Sequence, residues 1–201
     1  MRKGLLFVIS GPAGSGKGTV VKDLISSHPE LALSVSATTR KPRQGETEGV
    51  SYYFVSTKEF ERMIENKEVL EYTVYCDNYY GTPIKAVKKA LNSGKDIILE
   101  IEVDGALQVK KKIRNSVIIM LTPPDSKTLE ARLRGRGTET EEVIEKRLNR
   151  AKEEVQLIPL YDYTVVNNDN MAHECSEDIY AIIKAEHLKS KRTKNIIQKF
   201  I

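Results

Sequence analysis

The segment that most constrains this chain is a glycine-rich loop near its N-terminus, set between an apolar run and a helical pattern. The run from Leu5 to Ser10 carries no charge, which predicts a strand buried on both faces of a sheet. From Thr19 to Ser27, apolar residues recur on one helical face, and Pro29 ends the pattern. A loop that joins such a strand to a helix N-terminus can direct backbone N–H groups toward an anion.

The loop has the spacing of a P-loop, which cradles nucleotide phosphates. The alternative, a glycine-rich turn with a chance lysine, fits the order of strand, loop and helix less well. Lys17 would bring a mobile positive charge to the outer phosphates. The usual motif has Ser or Thr directly after the lysine, whereas here Gly18 intervenes and Thr19 follows. We therefore expect Mg²⁺ either at the Thr19 hydroxyl or held mostly through phosphates and water. The residues predicted to hold the nucleotide phosphates are Gly11, Pro12, Ala13, Gly14, Ser15, Gly16, Lys17, Gly18 and Thr19.

Strand and helix patterns alternate along the rest of the chain, which is typical of an α/β protein with a mainly parallel sheet. Strongly β-forming runs at Asp96–Val103, Ser116–Thr122 and Tyr163–Val166 would add strands to the N-terminal one. The chain has 201 residues, 40% of them hydrophobic and 30% charged, which fits one soluble globular domain. These features together predict a three-layer α/β/α core.

Capping signals mark three helix starts. Ser56 with Glu59, and Thr138 with Glu141, have the spacing of capping boxes. Thr82 stands directly before a proline, where it would serve as the N-cap of the helix that follows.

The charge pattern and composition exclude several classes of protein. The formal net charge is +4, but acidic and basic residues alternate through most of the chain, so we expect no nucleic-acid partner. The last stretch, Lys189–Lys199, is basic without acids, as at a solvated helix end. No apolar run has the length of a membrane span. The two cysteines, Cys76 and Cys175, suggest no disulfide framework, which favours a cytoplasmic location.

A second group of motifs includes the segments Ser34–Glu46 and Arg132–Glu142. These segments resemble the guanylate kinase family, the first its GMP-binding signature and the second its lid. The resemblance runs from about Leu5 to Asn168 and implies Mg²⁺-dependent transfer of the γ-phosphoryl group of ATP to GMP or dGMP. The remaining matches are Gly49, Tyr52–Val55, Glu71 and Asn78–Thr82.

The resemblance also implies a set of residues around the GMP phosphate. Two guanidinium groups can hold one phosphate in bidentate fashion, and Arg40 and Arg43 flank a proline that stiffens their loop. Tyrosine hydroxyls could add hydrogen bonds to the same phosphate. The residues implied are Ser36, Arg40, Arg43, Tyr52 and Tyr80, with Gly81 beside the last of them.

Guanine recognition is implied for Glu71 and Thr82. Guanine offers two adjacent donors that suit a carboxylate, and an O6 acceptor that suits a hydroxyl. Adenine has no donor at N1, so it would leave the carboxylate desolvated and unpaired. Such a site can reject adenine relative to guanine by a factor on the order of 10⁴. Without the surrounding motif, Glu71 would be interpreted as an ordinary exposed acid before a strand.

Acids also occur at the end of the run that begins at Asp96. Strand alternation would point Glu100 and Glu102 to one face, where Asp104 could join them. The family usually has Asp at the first two positions, and the implied contacts are guanine or metal-bound water. The other interpretation is an acidic strand end without a ligand.

An arginine-rich segment broken by glycines resembles the family's mobile lid. By this resemblance, Arg136 and Arg147 reach the transferring phosphoryl group, Arg132 packs on adenine, and Asn168 lies on the adenine side. The implied catalytic residues are Lys17, Arg43, Arg136 and Arg147. The implied divisions of a single domain 1–201 are a core of 1–34, 95–124 and 157–201, a GMP-binding subdomain of 35–94 and a lid of 125–156.

Two other functions stay open on the sequence alone. One is a nucleoside monophosphate kinase with another acceptor, such as AMP. The other is an inactive guanylate-kinase-like module that binds partner proteins in membrane-associated scaffolds. The phosphate-binding residues retained here favour an enzyme whose partners are the small molecules ATP and GMP, with its oligomeric state undetermined.

Overall fold

The computed structural model of the chain describes residues 3–75, 77–135, 137 and 140–192. Several predictions therefore lie outside the described residues, namely those on Cys76, Arg136, Thr138 and Glu139, and the part of the basic C-terminal run after Arg192. The elements are β1 (Leu6–Ser10), α1 (Lys17–Ser27), β2 (Ala32–Leu33), β3 (Ala37–Thr38), β4 (Tyr53–Phe54), α2 (Thr57–Glu65), β5 (Val69–Tyr75), β6 (Asn78–Pro83), α3 (Ile84–Asn92), β7 (Ile97–Glu100), α4 (Val103–Lys112), β8 (Val117–Thr122), α5 (Ser126–Gly135), α6 (Glu141–Val155), β9 (Tyr163–Val166) and α7 (Ala172–Leu188), with short 3₁₀ turns at Ile158–Leu160 and Ser190–Arg192.

A five-stranded parallel sheet with the order β2-β7-β1-β8-β9 forms the centre of the protein. Its strands β1 and β8 are buried along their whole length, as continuous apolar runs in parallel sheets are. Because β1 lies between β7 and β8, the carboxyl ends of these three strands meet at one edge, and the glycine-rich loop leaves the sheet there.

Helices cover both faces of this sheet. Alternate residues of β1 point to opposite sides, so that Phe7 and Ile9 pack with α1 and α7, whereas Leu6 and Val8 pack with α3 and α4. The α7 residues that join the first cluster are Cys175, Ile179 and Ile183. The prediction of a three-layer α/β/α core with a mainly parallel sheet is confirmed.

A second sheet, with the order β4-β3-β6-β5, is built from residues between Ala37 and Pro83. Antiparallel pairing of β5 with β6 sets Tyr72 opposite Gly81, and Phe60 of α2 fills a small separate core beneath the sheet. The Ser56 hydroxyl accepts a hydrogen bond from the backbone N–H of Glu59 at 3.2 Å, which confirms Ser56 as the N-cap of α2.

Two local predictions are wrong. Strand β7 ends at Glu100, so Glu102 is the N-cap of α4 and Asp104 lies in that helix. Thr82 is not an N-cap, because β6 continues through Pro83, and Pro83 itself caps α3. The predicted division of the chain into core, inserted subdomain and lid stays a prediction. Within the described residues, no helix combines the length and apolarity that crossing a membrane requires.

Candidate active site

The glycine-rich loop turns sharply between β1 and α1. A side chain on Gly11 would lie 2.0 Å from the backbone oxygen of Leu121, so the loop can pass β8 only without a Cβ atom. Gly16 has φ +91°, in the left-handed region that glycine adopts readily, and α1 begins at the next residue. This places the positive end of the helix dipole at the loop.

Lys17 holds its ammonium group inside this loop. Its Nζ donates to the backbone oxygens of Gly11 at 2.5 Å and Pro12 at 3.3 Å, and lies 3.5 Å from a carboxylate oxygen of Glu102. The hydroxyl of Ser15 is buried and has no hydrogen-bond partner among the described residues. A buried polar group without a protein partner is rare, and a bound phosphate would supply one here.

Glu100 stands at the carboxyl end of β7, beside the start of α1. Its Oε1 lies 3.5 Å from the point that a Cβ atom on Gly18 would occupy. Desolvation raises the pKa of the Glu100 carboxyl, the Lys17 ammonium acts to lower it, and the Glu102 carboxylate acts to raise it. The structure therefore brings Glu100, Glu102 and Lys17 together, although the strand geometry expected for the two acids is wrong.

The arm that carries Arg40 and Arg43 is organised by Glu46. The Glu46 carboxylate accepts two hydrogen bonds from the Arg40 guanidinium, at 2.8 and 2.9 Å, and one from the backbone N–H of Arg43 at 2.7 Å. These contacts, the Arg40 hydrogen bonds first, lower the pKa of Glu46 to about 2. From the sequence, no role was assigned to Glu46. Its position three residues after Arg43 was the one signal that it could contact this loop.

Two tyrosines adjoin the Arg40 guanidinium. Its Cζ lies 5.4 Å from the centroid of the Tyr52 ring, and the Tyr52 and Tyr80 rings meet edge-on at 6.1 Å. Burial raises the pKa of Tyr52, Arg40 acts to lower it, and Tyr80 and Glu100 act to raise it further. Glu100 thus acts on the pKa of Tyr52, just as Lys17 acts on the pKa of Glu100.

Glu71 and Thr82 face each other across β5 and β6. The Thr82 hydroxyl donates to the Glu71 carboxylate at 2.7 Å, and both residues are buried. Burial raises the pKa of Glu71, and hydrogen bonds from Thr82 act to lower it. A carboxylate this deeply buried in a small sheet costs stability, which is typical of groups kept for binding.

The other expected GMP residues lie on the same sheet. The backbone oxygen of Ser36 accepts a hydrogen bond from the N–H of Tyr53 at 2.9 Å. Gly81 is paired with Ala37 on β3, and a Cβ atom there would lie 2.5 Å from the backbone oxygen of Glu71. The segments that carry Ser36, Gly81 and Glu71 are therefore closely packed.

Arg132 links α5 to the loop that follows β9. Its guanidinium donates to the Asp169 carboxylate at 2.6 and 3.0 Å and to the backbone oxygen of Asn167 at 2.8 Å. Asn167, which sequence reasoning missed in favour of its neighbour Asn168, is buried and donates to the backbone oxygen of Ser15 at 2.8 Å. The loop after β9 therefore braces the glycine-rich loop.

The two other arginines predicted for the lid differ in what the structure describes. Arg147, on α6, donates from Nη2 to the hydroxyl of Tyr75 at 3.2 Å, and so contacts the end of β5. Arg136 lies outside the described residues. Leu129, Leu133, Ile144 and Ala151 form a small core between α5 and α6 that holds the two helices together.

Comparison with known proteins gives a consistent result over nearly the whole chain. The family model named guanylate kinase matches residues 3–186. The guanylate kinase of Halalkalibacterium halodurans is 54% identical over 98% of this chain and 95% of that protein. That of Clostridioides difficile is 49% identical, with the same shares covered.

The solved structures agree with this result. The crystal structure of guanylate kinase from Anaplasma phagocytophilum superimposes with a TM-score of 0.77 at 30% identity, covering 98% of this chain and 95% of that one. Shikimate kinase from Acinetobacter baumannii, at 17% identity and a TM-score of 0.51 over 92% of this chain and 96% of its own, shares the fold alone. The phosphate loop, the arginine and tyrosine group and these matches together show that the chain belongs to the guanylate kinase family.

Proposed function

We propose that this protein is an ATP:GMP phosphotransferase, and that the two substrates meet at Glu100. The observation that carries the proposal is the continuity of the site. Oε1 of Glu100 lies 3.5 Å from the point that a Cβ atom on Gly18 of the glycine-rich loop would occupy, and its charge acts to raise the pKa of Tyr52, the ring beside Arg40. Two groups suited to binding phosphates therefore share one cleft, as direct transfer between two nucleotides requires.

The donor nucleotide binds at the glycine-rich loop. Its phosphates take the backbone N–H groups of residues 11–19, and Lys17 transfers its hydrogen bonds from the Gly11 and Pro12 carbonyls to the phosphate oxygens. The adenine lies toward Arg132, which donates to the backbone oxygen of Asn167 in the loop after β9, and toward Asn168, the next residue of that loop.

The acceptor nucleotide binds at the second sheet. Its phosphate lies against Arg40, Arg43, Tyr52 and Tyr80, with Gly81 on β6 and Ser36 directly before β3. Its base is read by Glu71, which accepts from the two adjacent donors of guanine, and by Thr82. Segment 35–94 is then the GMP-binding subdomain.

The site suits a magnesium ion that is carried mainly by the nucleotide. Among the described residues, no cluster of three or more His, Cys, Asp or Glu could hold a metal by itself. Thr19 is exposed on the first turn of α1 and Glu100 lies near Gly18, so these two side chains would help to hold an ion bound to phosphates. Magnesium supplies charge neutralisation at the phosphate oxygens when it is bound.

Transfer itself needs alignment and charge neutralisation, and no protein nucleophile. Lys17, Arg43, Arg136 and Arg147 supply positive charge to the equatorial oxygens of the moving phosphoryl group. Segment 125–156 acts as the lid that excludes water and brings Arg136 and Arg147 to the phosphates.

The other two interpretations of the sequence explain the site less well. An AMP-specific enzyme would leave the buried Glu71 carboxylate facing a base without an N1 donor. An inactive scaffold module would have no use for a buried lysine within a glycine-rich loop.

A coupled assay of ADP release tests the proposal. With ATP and Mg²⁺, we expect turnover with GMP or dGMP and little with AMP, CMP or UMP. Lys17→Ala should lower kcat by at least about 10²-fold. Lys22→Ala, an exposed lysine on the same helix, is the matched control and should leave kcat unchanged. Equal turnover with AMP and GMP, or a Lys17→Ala enzyme with normal kcat, would refute the proposal.

A further inference from the structure

Helix α4 presents three residues to strand β5 from one of its faces. Gly105, Gln108 and Lys112 are spaced by three and four positions, so they lie in one row along the helix. All three contact the strand at or beside Glu71. This row, called here the α4 row, belongs to neither of the two nucleotide sites described above.

The first member of the α4 row lies directly under the Glu71 carboxylate. A Cβ atom on Gly105 would be 2.7 Å from Glu71 Oε2 and 3.3 Å from its Cδ. The carboxylate has little freedom to move aside, because the Thr82 hydroxyl holds its other oxygen at 2.7 Å and the side chain is buried. Glycine is therefore the residue that leaves room for the carboxylate in this position.

The other two members hold the strand on either side of Glu71. Gln108 donates to the backbone oxygen of Tyr72 at 3.1 Å and accepts from its N–H at 3.4 Å. Lys112 donates to the backbone oxygen of Leu70 at 2.7 Å. The backbone of β5 is thus fixed immediately before and immediately after the residue whose carboxylate rests on Gly105.

The N-terminal end of the same helix reaches the phosphate side of the cleft. Its N-cap residue, Glu102, lies 3.5 Å from the Lys17 ammonium. Asp104 pairs with Arg150 of α6 at 3.1 Å. Helix α4 therefore contacts the strand segment around Glu71, the glycine-rich loop and α6, and fixes their relative positions.

We propose that Gly105, Gln108 and Lys112 are positioning residues for base recognition, which hold the Glu71 carboxylate at the place where it accepts from guanine. The proposal rests on the function proposed above, in which Glu71 reads the base. These residues act through Glu71 and touch neither nucleotide. Their alteration should change discrimination between bases while leaving ATP binding intact.

Gly105→Ala is the most direct test, read by GMP and by inosine monophosphate, which lacks the exocyclic amine. Because alanine favours a helix more than glycine does, a weaker binding of GMP by this variant cannot come from helix propensity. We expect the KM for GMP to rise on the order of 10-fold or more and the preference for GMP over inosine monophosphate to fall by a similar factor. The KM for ATP should change little.

A double-mutant cycle separates positioning from general damage. In an enzyme that already carries Glu71→Gln, Gly105→Ala should cost little further kcat/KM for GMP, since the group that it displaces no longer discriminates. Gln108→Ala should give a smaller loss of the same kind, and serves if Gly105→Ala does not fold. Lys111→Ala, an exposed lysine on the same helix outside the α4 row, is the matched control.

The outcomes distinguish this proposal from the one on which it rests. If the unaltered enzyme does not prefer GMP to AMP, the proposed function itself fails. If it does, but Gly105→Ala and Gln108→Ala keep its preference for GMP over inosine monophosphate, the positioning role is overturned. Costs of Gly105→Ala and Glu71→Gln that simply add would overturn it as well.

Discussion

Replacing Glu71 by glutamine tests how the protein recognises its base with almost no change of shape. The Thr82 hydroxyl donates to Oε1 of Glu71, and an amide oxygen can keep that hydrogen bond. The amide nitrogen then takes the place of Oε2 and offers N–H donors where guanine also offers a donor. One charge-assisted hydrogen bond to the base is lost, and two donors face each other.

The expected magnitude follows from the type of contact that is lost. A hydrogen bond to a charged group contributes about 1.5–3 kcal/mol, which corresponds to roughly 10- to 100-fold in the KM for GMP. The fold should become more stable, because burial raises the pKa of the Glu71 carboxyl and glutamine has no charge to desolvate. Loss of affinity together with a higher thermal midpoint is the distinctive expectation.

Steady-state kinetics with varied pH provide the assay. Protonation of Glu71 turns an acceptor into a donor, so the KM for GMP of the unaltered enzyme should rise as pH falls through the raised pKa of Glu71. The Glu71→Gln enzyme should lack that component. Glu68→Gln, at an exposed acid just before β5, is the control for a lost carboxylate. An unchanged KM for GMP, or a thermal midpoint lowered by several degrees, would refute this account of base recognition.

Three further changes test other parts of the structure. Glu46→Gln should raise the KM for GMP by about 10-fold, because the charged partner of Arg40 is lost, and an unchanged KM would show that Arg40 needs no such support. Asn167→Ala should raise the KM for ATP by about 5- to 10-fold through its lost hydrogen bond to Ser15, with the KM for GMP as internal control, and an equal rise in both would contradict the brace. Glu186→Gln should lower the free energy of unfolding at pH 7 by about 2–3 kcal/mol, because Tyr163, Lys189 and Arg192 all donate to this buried carboxylate. Burial acts to raise the pKa of Glu186, but those contacts lower the pKa from 4.5 to about 2. The contribution of Glu186 to the free energy of unfolding is therefore complete above pH 4.5 and is lost as the pH falls toward 2. A Glu186→Gln protein with the same pH dependence in acid denaturation would contradict this assignment.

Local chemistry made much of the phosphate-binding part predictable. A strand, a glycine-rich loop and a helix follow one another between Leu6 and Ser27, so neighbouring positions in the sequence stay neighbours in space. The proximity of Glu71 and Thr82 needed more than local rules, because the antiparallel pairing of β5 with β6 brings them together. The family resemblance supplied that pairing.

The α4 region shows where the sequence supported two structures at once. Acids and apolar residues alternate from Leu99 to Val103, which favours a strand, whereas Val103, Ala106 and Val109 recur at helical spacing. All three are buried on the helix in the structure, so packing against the sheet decided in favour of the helix. Gly105 weakened the helical pattern in the sequence. The structure accounts for a glycine at this position by the close approach of the Glu71 carboxylate.

Two further differences depend on loops and strand ends. Asn167 turns inward and Asn168 does not brace the loop, because the N–H of Asn167 continues the pairing of β9 with β8 by donating to Thr122 at 2.8 Å. Strand β6 extends through Pro83, since the register shift in β5 lets Val69 pair with that proline. No rule of composition at a single residue anticipates either outcome.

The order of strands in the central sheet has a consequence for how the chain folds as it is synthesised. The glycine-rich loop leaves the ribosome long before β7 and β8, so β1 has no partner until these strands have followed, and α1 waits for α7. The second sheet, made from one continuous segment, can form well before this. We expect amide protection in a nascent chain to appear first around β3–β6, while the nucleotide loop matures only after the C-terminal helix emerges.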